Sequence, residues 1–253
     1  MKYLAGMRRA RPSAALAITC SVSVFCARAG ETEPVVDTPI HSFVLIDQLE
    51  YTNTRGGRGS QNGLRVNSTA WIGGDYDRLW IYTEATKPSD SKPEDVDIQF
   101  LYGRLVAPFW DVQAGIRHTK QGPGIASRNY AVVGVQGLAP YRFGVQAAAF
   151  LNERAKLSGR AEVEYELLLT QRWVLQPRFA TNISLQEETK QGVGRGVNDI
   201  ELGLRLRYEI KRELAPYIGV TWQKRYGLAA EFAQRRGEDA GRWSAVAGLR
   251  VWF

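Results

Sequence analysis

The stretch IELGLRLRYEI, residues 200–210, alternates between two kinds of side chain. One set is Ile200, Leu202, Leu204, Leu206, Tyr208 and Ile210, and between them lie Glu201, Gly203, Arg205, Arg207 and Glu209. Because successive side chains of a β-strand point to opposite faces, this period of two predicts a strand with one apolar and one charged face.

The same alternation recurs from residue 41 to residue 253, and no helical period persists there. Residues 161–169, for example, place three glutamates between apolar side chains, and residues 173–183 do the same with Gln176 and Arg178. We predict twelve strands of about ten residues, near 41–53, 64–74, 78–86, 95–107, 110–120, 128–138, 142–152, 157–169, 172–185, 197–211, 214–226 and 241–253.

The connections between these segments alternate between short turns and longer polar loops, such as 186–196 and 227–240. An even number of strands with this alternation is typical of outer-membrane β-barrels. Strands of about ten residues can cross the hydrocarbon layer when tilted. A closed barrel also satisfies every backbone polar group within lipid.

The first 29 residues resemble a secretory signal peptide. A basic segment ending at Arg11 is followed by an apolar segment, 13–25, and by a small-x-small cleavage site at 27–29. We therefore divide the chain into a signal peptide (1–29), an extended periplasmic leader (30–40) and a barrel (41–253).

Cleavage after Ala29 would change the net charge of the chain and remove all of its cysteines and methionines. The whole chain has 33 Lys and Arg and 26 Asp and Glu, a net charge of +7. Removing residues 1–29 takes five basic residues and every Cys and Met, which leaves 28 basic and 26 acidic residues, a net charge of +2. We therefore expect no nucleic-acid partner, no disulfide and no thiolate or thioether metal site.

A soluble β-sandwich or lipocalin-like barrel is the alternative, because alternation alone does not say which face points outward. Three features favour the membrane: the signal peptide, the unequal connections, and a last strand with apolar residues at every second position up to Phe253. We predict an all-β fold, a transmembrane antiparallel β-barrel of the bacterial outer membrane. Its short turns are expected in the periplasm and its long loops outside the cell.

Several long motifs carry a family resemblance. They are DQLEY (47–51), WIGGDYDRLW (71–80), APFWDVQAG (107–115), VGVQGLAPY (133–141), EYELLLTQR (164–172), LGLRLRYEI (202–210) and LAPYIGV (214–220). In this order they resemble the copper resistance protein B family of Gram-negative outer membranes, over nearly all of residues 41–253.

The resemblance implies an outer-membrane barrel that contributes to copper resistance and homeostasis, by copper binding or by passage of copper across the membrane. It also implies a periplasmic multicopper oxidase as a partner. Members of the family often carry a Met- and His-rich segment before the barrel, whereas residues 30–40 contain neither residue. A general small-solute channel or a structural barrel without copper specificity is the alternative.

Copper is the one metal that the resemblance implies, and the chain offers few ligands for it. His41 and His118 are the only histidines, and imidazole suits both Cu(I) and Cu(II). His41 is expected at the periplasmic start of the first strand, where Asp37 or Asp47 would join it. His118 is expected near the outer end of the fifth strand, too distant to share an ion with His41. Two interfacial histidines without metal are the alternative that we favour.

If the apolar faces meet lipid, the charged faces line a lumen. Its charged residues are then expected to be Glu84, Asp97, Arg117, Glu162, Glu164, Glu166, Arg178, Glu201, Arg205, Arg207 and Glu209. They form either a salt-bridge network that fills a narrow barrel or a charged pathway for a cation, and the two can coexist.

We expect no enzymatic activity, because His118 and Ser127 lie in no nucleophile motif and G-x-S-x-G does not occur. The expected surroundings are outer-membrane lipid and lipopolysaccharide, whose phosphates Arg195, Arg235 and Arg236 in the long loops would contact.

Overall fold

The computed structural model describes residues 39–56, 59–88, 95–121, 127–235, 237 and 239–253. The predicted signal peptide and most of the predicted leader lie outside these residues.

The described chain is a closed antiparallel barrel of twelve strands. Each strand pairs with its sequence neighbours, and the first strand pairs with the last to close the barrel. The eighth strand has two segments, separated by a break at Tyr165 and Glu166, and both segments pair with the ninth strand. The strands are β1 His41–Gly56, β2 Gly59–Gly73, β3 Asp77–Pro88, β4 Asp95–Ala107, β5 Trp110–Gln121, β6 Arg128–Ala139, β7 Phe143–Asn152, β8 Leu157–Glu164 with Leu167–Leu168, β9 Trp173–Ser184, β10 Gly196–Tyr208, β11 Leu214–Arg225 and β12 Gly241–Trp252.

The exterior of the barrel is apolar and its interior is charged. In β10, Leu202 is 45% exposed whereas Arg205 is 4% exposed. Other exposed apolar side chains lie around the wall, including Val44, Ile81, Phe100, Ile116, Val133, Ile218 and Val220. A soluble barrel has the opposite arrangement, so the prediction of a membrane barrel is confirmed and the soluble alternative is wrong.

Part of the interior is nevertheless apolar. Trp80, Leu101, Val132 and Phe150, from strands β3, β4, β6 and β7, form one buried cluster. Tyr82 stacks on Trp80 with ring centroids 5.9 Å apart. Ring packing therefore fills this side of the barrel, and charged side chains dominate the other side.

One long connection contains a helix, α1 (Gly227–Arg235), together with short 3₁₀ turns at Pro140–Arg142 and Thr189–Gln191 elsewhere. The sequence predicts only a polar loop over 227–240, so this helix is a correction to that prediction. Ala229, Phe232 and Ala233 form the buried face of α1, and the helix packs beside β10. Ala229 is followed by Phe232 three residues later and by Ala233 four residues later, which is the spacing of side chains on one face of a helix. Among the described residues, no helix is long and apolar enough to cross a membrane.

Candidate functional site

A β-bulge in β1 changes which side chains face the lumen. Ile46 pairs with Val251 and Leu49 with Leu249, so Asp47 and Gln48 together lie opposite Arg250. The extra residue shifts the alternation by one. As a result, Asp47 binds Arg250 at 3.2 Å inside the barrel, and Gln48 beside it is also buried.

Four glutamates and four arginines meet near the middle of the strands, and we call them the central layer. Arg65 of β2 lies among three carboxylates, 3.2 Å from Glu201, 3.7 Å from Glu84 and 4.0 Å from Glu50. Glu50 is fully buried. The complete set is Glu50, Glu84, Glu162, Glu201, Arg65, Arg160, Arg178 and Arg205.

The central layer reaches from one wall of the barrel to the other. Arg160 of β8 lies 3.4 Å from Glu84 of β3, and these two strands are nearly opposite in a ring of twelve. Arg65 and Glu201 connect β2 to β10. Because these bonds cross the lumen, the central layer narrows the lumen at mid-height.

Diagonal contacts connect the remaining members of the central layer. The register places Arg178 opposite Glu164, but the guanidinium hydrogen-bonds Glu162 at 2.5 and 2.7 Å. Glu164 accepts a hydrogen bond from the Gln176 amide at 3.0 Å. Arg178 also lies 3.8 Å from Glu201, so β8, β9 and β10 share one network.

A tyrosine and a glycine fix the position of Glu50. Arg205 donates to Glu50 at 3.1 to 3.2 Å, and the Tyr217 hydroxyl donates to it at 3.1 Å. A Cβ atom at Gly248 would lie 2.6 Å from the Tyr217 hydroxyl and 2.7 Å from a backbone oxygen. Only glycine therefore lets the tyrosine ring lie across β12 and reach the carboxylate.

A second charged cluster lies at the short-turn end of the lumen. Glu166 accepts from Arg207 at 3.1 Å and from Arg250 at 2.8 Å. Arg207 is also 3.4 Å from Glu209. A cavity of about 240 Å³ opens beside this cluster and is lined by Glu166, Arg207, Glu209, Arg212, Ala215, Arg250 and Trp252.

Two ion pairs lie on the side of the lumen that carries the aromatic cluster. Arg117 donates to Asp97, and its guanidinium also lies 4.3 Å from the Phe150 ring centroid. Arg78 lies 3.6 Å from Asp111 near the short turns, and its guanidinium lies 4.8 Å from the Trp71 ring centroid. Both arginines thus pack against rings as well as binding a carboxylate.

A further buried carboxylate joins the loops at the other end. Glu188 binds Arg128, accepts from the Asn152 amide at 2.8 Å and lies 3.7 Å from the Lys156 ammonium. These contacts hold the loop after β9 against the ends of β6 and β7.

The two histidines lie at opposite ends of the wall, His41 at the short-turn rim on the lumenal face and His118 on the exterior face. His41 is exposed at the first residue of β1. Asp47, six residues further and thus roughly 20 Å along the strand, binds Arg250, so it does not join His41. Asp37 lies outside the described residues. His118 is exposed near the loop end of β5, and Asn129 hydrogen-bonds its Nδ1 atom at 2.7 Å. Among the described residues, no three His, Cys, Asp or Glu side chains form a group that could hold a metal.

The structure brings most of the predicted lumenal residues together. Glu84, Glu162, Glu201, Arg178 and Arg205 lie in the central layer, while the short-turn cluster contains Glu166, Arg207 and Glu209. Sequence reasoning missed Glu50, Arg65, Arg160 and Arg250. Glu50 alternates with the apolar residues Leu49 and Tyr51, and this pattern could have predicted that Glu50 faces the lumen. The bulge breaks the alternation at Asp47, so the pattern does not predict that Asp47 also faces the lumen.

The family comparison agrees with the motifs. The profile of the family described as "Copper resistance protein B precursor (CopB)" matches residues 40–253. Copper resistance protein B of Escherichia coli is 41% identical over 217 residues, which are 86% of this chain and 71% of that protein. A Copper resistance protein B homolog of Pseudomonas syringae pv. tomato is 37% identical over 231 residues, 91% of this chain and 76% of that protein.

Solved structures support the fold. The NanC porin superposes with a TM-score of 0.53 at 11% identity, covering 82% of this chain and 98% of the porin. Outer membrane phospholipase A from Escherichia coli gives a TM-score of 0.50 at 13% identity, covering 83% and 92%. Identities this low concern the fold alone. The sequence matches and the apolar wall together lead to one conclusion: the chain is an outer-membrane β-barrel that belongs to the copper resistance protein B family.

Proposed function

We propose that this barrel contributes to copper resistance by letting copper ions pass the outer membrane along its charged lumen. Membership of the copper resistance protein B family supports the copper part. The lumenal carboxylates are the observation that supports passage, because oxygen ligands and water suit Cu(II) in transit.

An excess of negative charge supports a cation rather than an anion. Among the described residues, the central layer with Glu164, the short-turn cluster with Asp47 and the two ion pairs on the aromatic side combine ten carboxylates with eight guanidiniums, and low-dielectric walls strengthen the resulting field. The carboxylates are Asp47, Glu50, Glu84, Asp97, Asp111, Glu162, Glu164, Glu166, Glu201 and Glu209, and the guanidiniums are Arg65, Arg78, Arg117, Arg160, Arg178, Arg205, Arg207 and Arg250.

The placement of the histidines supports passage over tight storage. Imidazole is the strongest copper ligand available from residue 30 onward. His118 lies on the exterior face near the loop end and His41 at the short-turn rim of the lumen, so neither lies among the carboxylates of the central layer. His41 and His118 then act as separate, weak copper contacts at most.

The cross-lumen ion pairs favour a second candidate, a structural barrel or a general small-solute channel. Arg160 with Glu84 and Arg65 with Glu201 hold opposite walls together. Such pairs stiffen a barrel whether or not it carries copper. The two candidates differ in whether copper moves faster than an uncharged solute of similar size.

We also propose a non-catalytic role beside a periplasmic multicopper oxidase, with residues 1–29 removed on export. Arg195 and Arg235 in the long connections are offered as contacts for lipopolysaccharide phosphates. Arg236 lies outside the described residues.

The test uses the purified barrel in lipid vesicles that contain a copper-quenched dye. We expect Cu²⁺ to enter these vesicles faster than protein-free vesicles, and faster than arabinose enters in a parallel swelling assay. Equal entry of copper and arabinose would favour the general channel. Copper entry at the protein-free rate would contradict passage.

A further inference from the structure

The central layer is electrically neutral as a set, and this balance has a consequence for ions in the lumen. Its four glutamates and four arginines come from β1, β2, β3, β8, β9 and β10. Removing the charge of one member therefore changes the charge of this part of the lumen by one unit. The sign of that change depends on which member is replaced.

Arg65 has the environment that a permeating cation would need. Its guanidinium lies within 4.0 Å of three carboxylates, which belong to β1, β3 and β10. Rings of Asp and Glu side chains are the usual selectivity elements of cation channels. In this lumen the guanidinium occupies the centre of such a ring.

Each of the three carboxylates keeps another partner if Arg65 moves away. Arg205 donates to Glu50, Arg160 lies 3.4 Å from Glu84, and Arg178 lies 3.8 Å from Glu201. The ring thus remains assembled around the vacated position. This arrangement suits exchange between an arginine and a mobile cation.

We propose that the central layer is the ion-selecting site of the barrel, with Arg65 standing where a permeating cation lies among Glu50, Glu84 and Glu201. The proposal deepens the proposed function and rests on it. It assigns selectivity to a defined set of lumenal side chains. It also assigns opposite effects to the loss of an arginine and the loss of a glutamate.

The test measures reversal potentials of the purified barrel in planar bilayers across a KCl gradient. Arg65→Gln makes the layer negative and should raise the K⁺/Cl⁻ permeability ratio, whereas Glu201→Gln makes it positive and should lower the ratio. We expect the two variants to differ by about tenfold. Arg104→Gln is the matched control, because Arg104 is an exposed strand arginine beside Asp77, and it should keep the wild-type ratio.

The double variant Arg65→Gln/Glu201→Gln separates selectivity from folding. It removes both partners of one ion pair and leaves no unpaired charge, so it should fold even where a single variant does not. Because the layer is again neutral, the double variant should have the wild-type K⁺/Cl⁻ permeability ratio. Arg65→Lys should also keep that ratio. The proposal would be overturned if the permeability ratio shifted in the same direction in both single variants, or if it did not shift at all. It would also be overturned if no folded variant carried current.

Copper tolerance of strains that carry the same variants distinguishes this proposal from the proposed function. Unchanged selectivity in variants that still restore tolerance would overturn only the role of the central layer. Failure of the wild-type barrel to restore tolerance would overturn the proposed function.

Discussion

Single residues decide which charges reach the lumen. Glu50 follows the alternation of β1, and its carboxylate is held by Arg205 and the Tyr217 hydroxyl. Asp47 reaches the lumen only through the bulge beside Gln48. Buried charges of this kind require their partners, because an unpaired charge in the barrel interior is strongly unfavourable.

Arg205→Met tests the dependence of Glu50 on its partner. Glu50 would keep only the tyrosine and Arg65 at 4.0 Å. We expect the free energy of unfolding to fall by about 3 kcal/mol, measured by urea unfolding from vesicles with tryptophan fluorescence. Arg104→Met, at a mostly exposed residue, should change it by less than about 0.5 kcal/mol. Equal losses in the two variants would contradict the account.

Glu164→Gln tests whether the charged face of β8 affects ion passage. Glu164 lies inside the barrel and accepts from Gln176, whereas Glu187 is exposed in the loop after β9. We expect Glu164→Gln to change single-channel conductance or stability far more than Glu187→Gln. Equal and negligible effects would argue against a functional lumen.

At the scale of elements, strands were predictable and their irregularities were not. The alternation of residues 200–210 predicts β10 and groups its side chains by face, because a strand repeats every two residues. The break at Tyr165 and Glu166 and the bulge at Asp47 leave no local pattern. The helix α1 does have a pattern in the sequence, the three- and four-residue spacing of its apolar side chains, but the polar residues around it make the segment look like a loop.

Phe232→Asp tests the packing of α1. Phe232 lies on the buried face of the helix, so a carboxylate there should loosen the connection between β11 and β12 while the barrel stays folded. We expect faster cleavage of this connection when protease is added to whole cells. Glu231→Gln changes the exposed neighbour and should leave the cleavage rate unchanged; cleavage at equal rates would contradict the packing.

At the scale of the whole molecule, closure of the sheet brings together residues that are distant in sequence. Arg65 and Glu201 are 136 residues apart and meet across the lumen. A single sequence predicts that both carry charge on a strand face, but their partners depend on strand number, tilt and register. The candidate site was therefore predictable as a set of inward residues and not as a network.

The closed barrel predicts a characteristic behaviour on gels. Its backbone hydrogen bonds form an unbroken ring from β1 to β12, so the fold should resist detergent until it is heated. We expect the protein in outer-membrane fractions, with different migration of unboiled and boiled samples. A soluble periplasmic monomer with identical migration would contradict the location.

The most direct test of the central claim is copper tolerance of a deletion strain, measured as growth across a copper series. Complementing genes carry the wild type, the central-layer variant Glu162→Gln, or the histidine variant His41→Ala/His118→Ala, at matched levels in the outer membrane. The account predicts lower tolerance on deletion, recovery with the wild type and the histidine variant, and poor recovery with Glu162→Gln. Unchanged tolerance on deletion, or failure of the histidine variant alone, would contradict it.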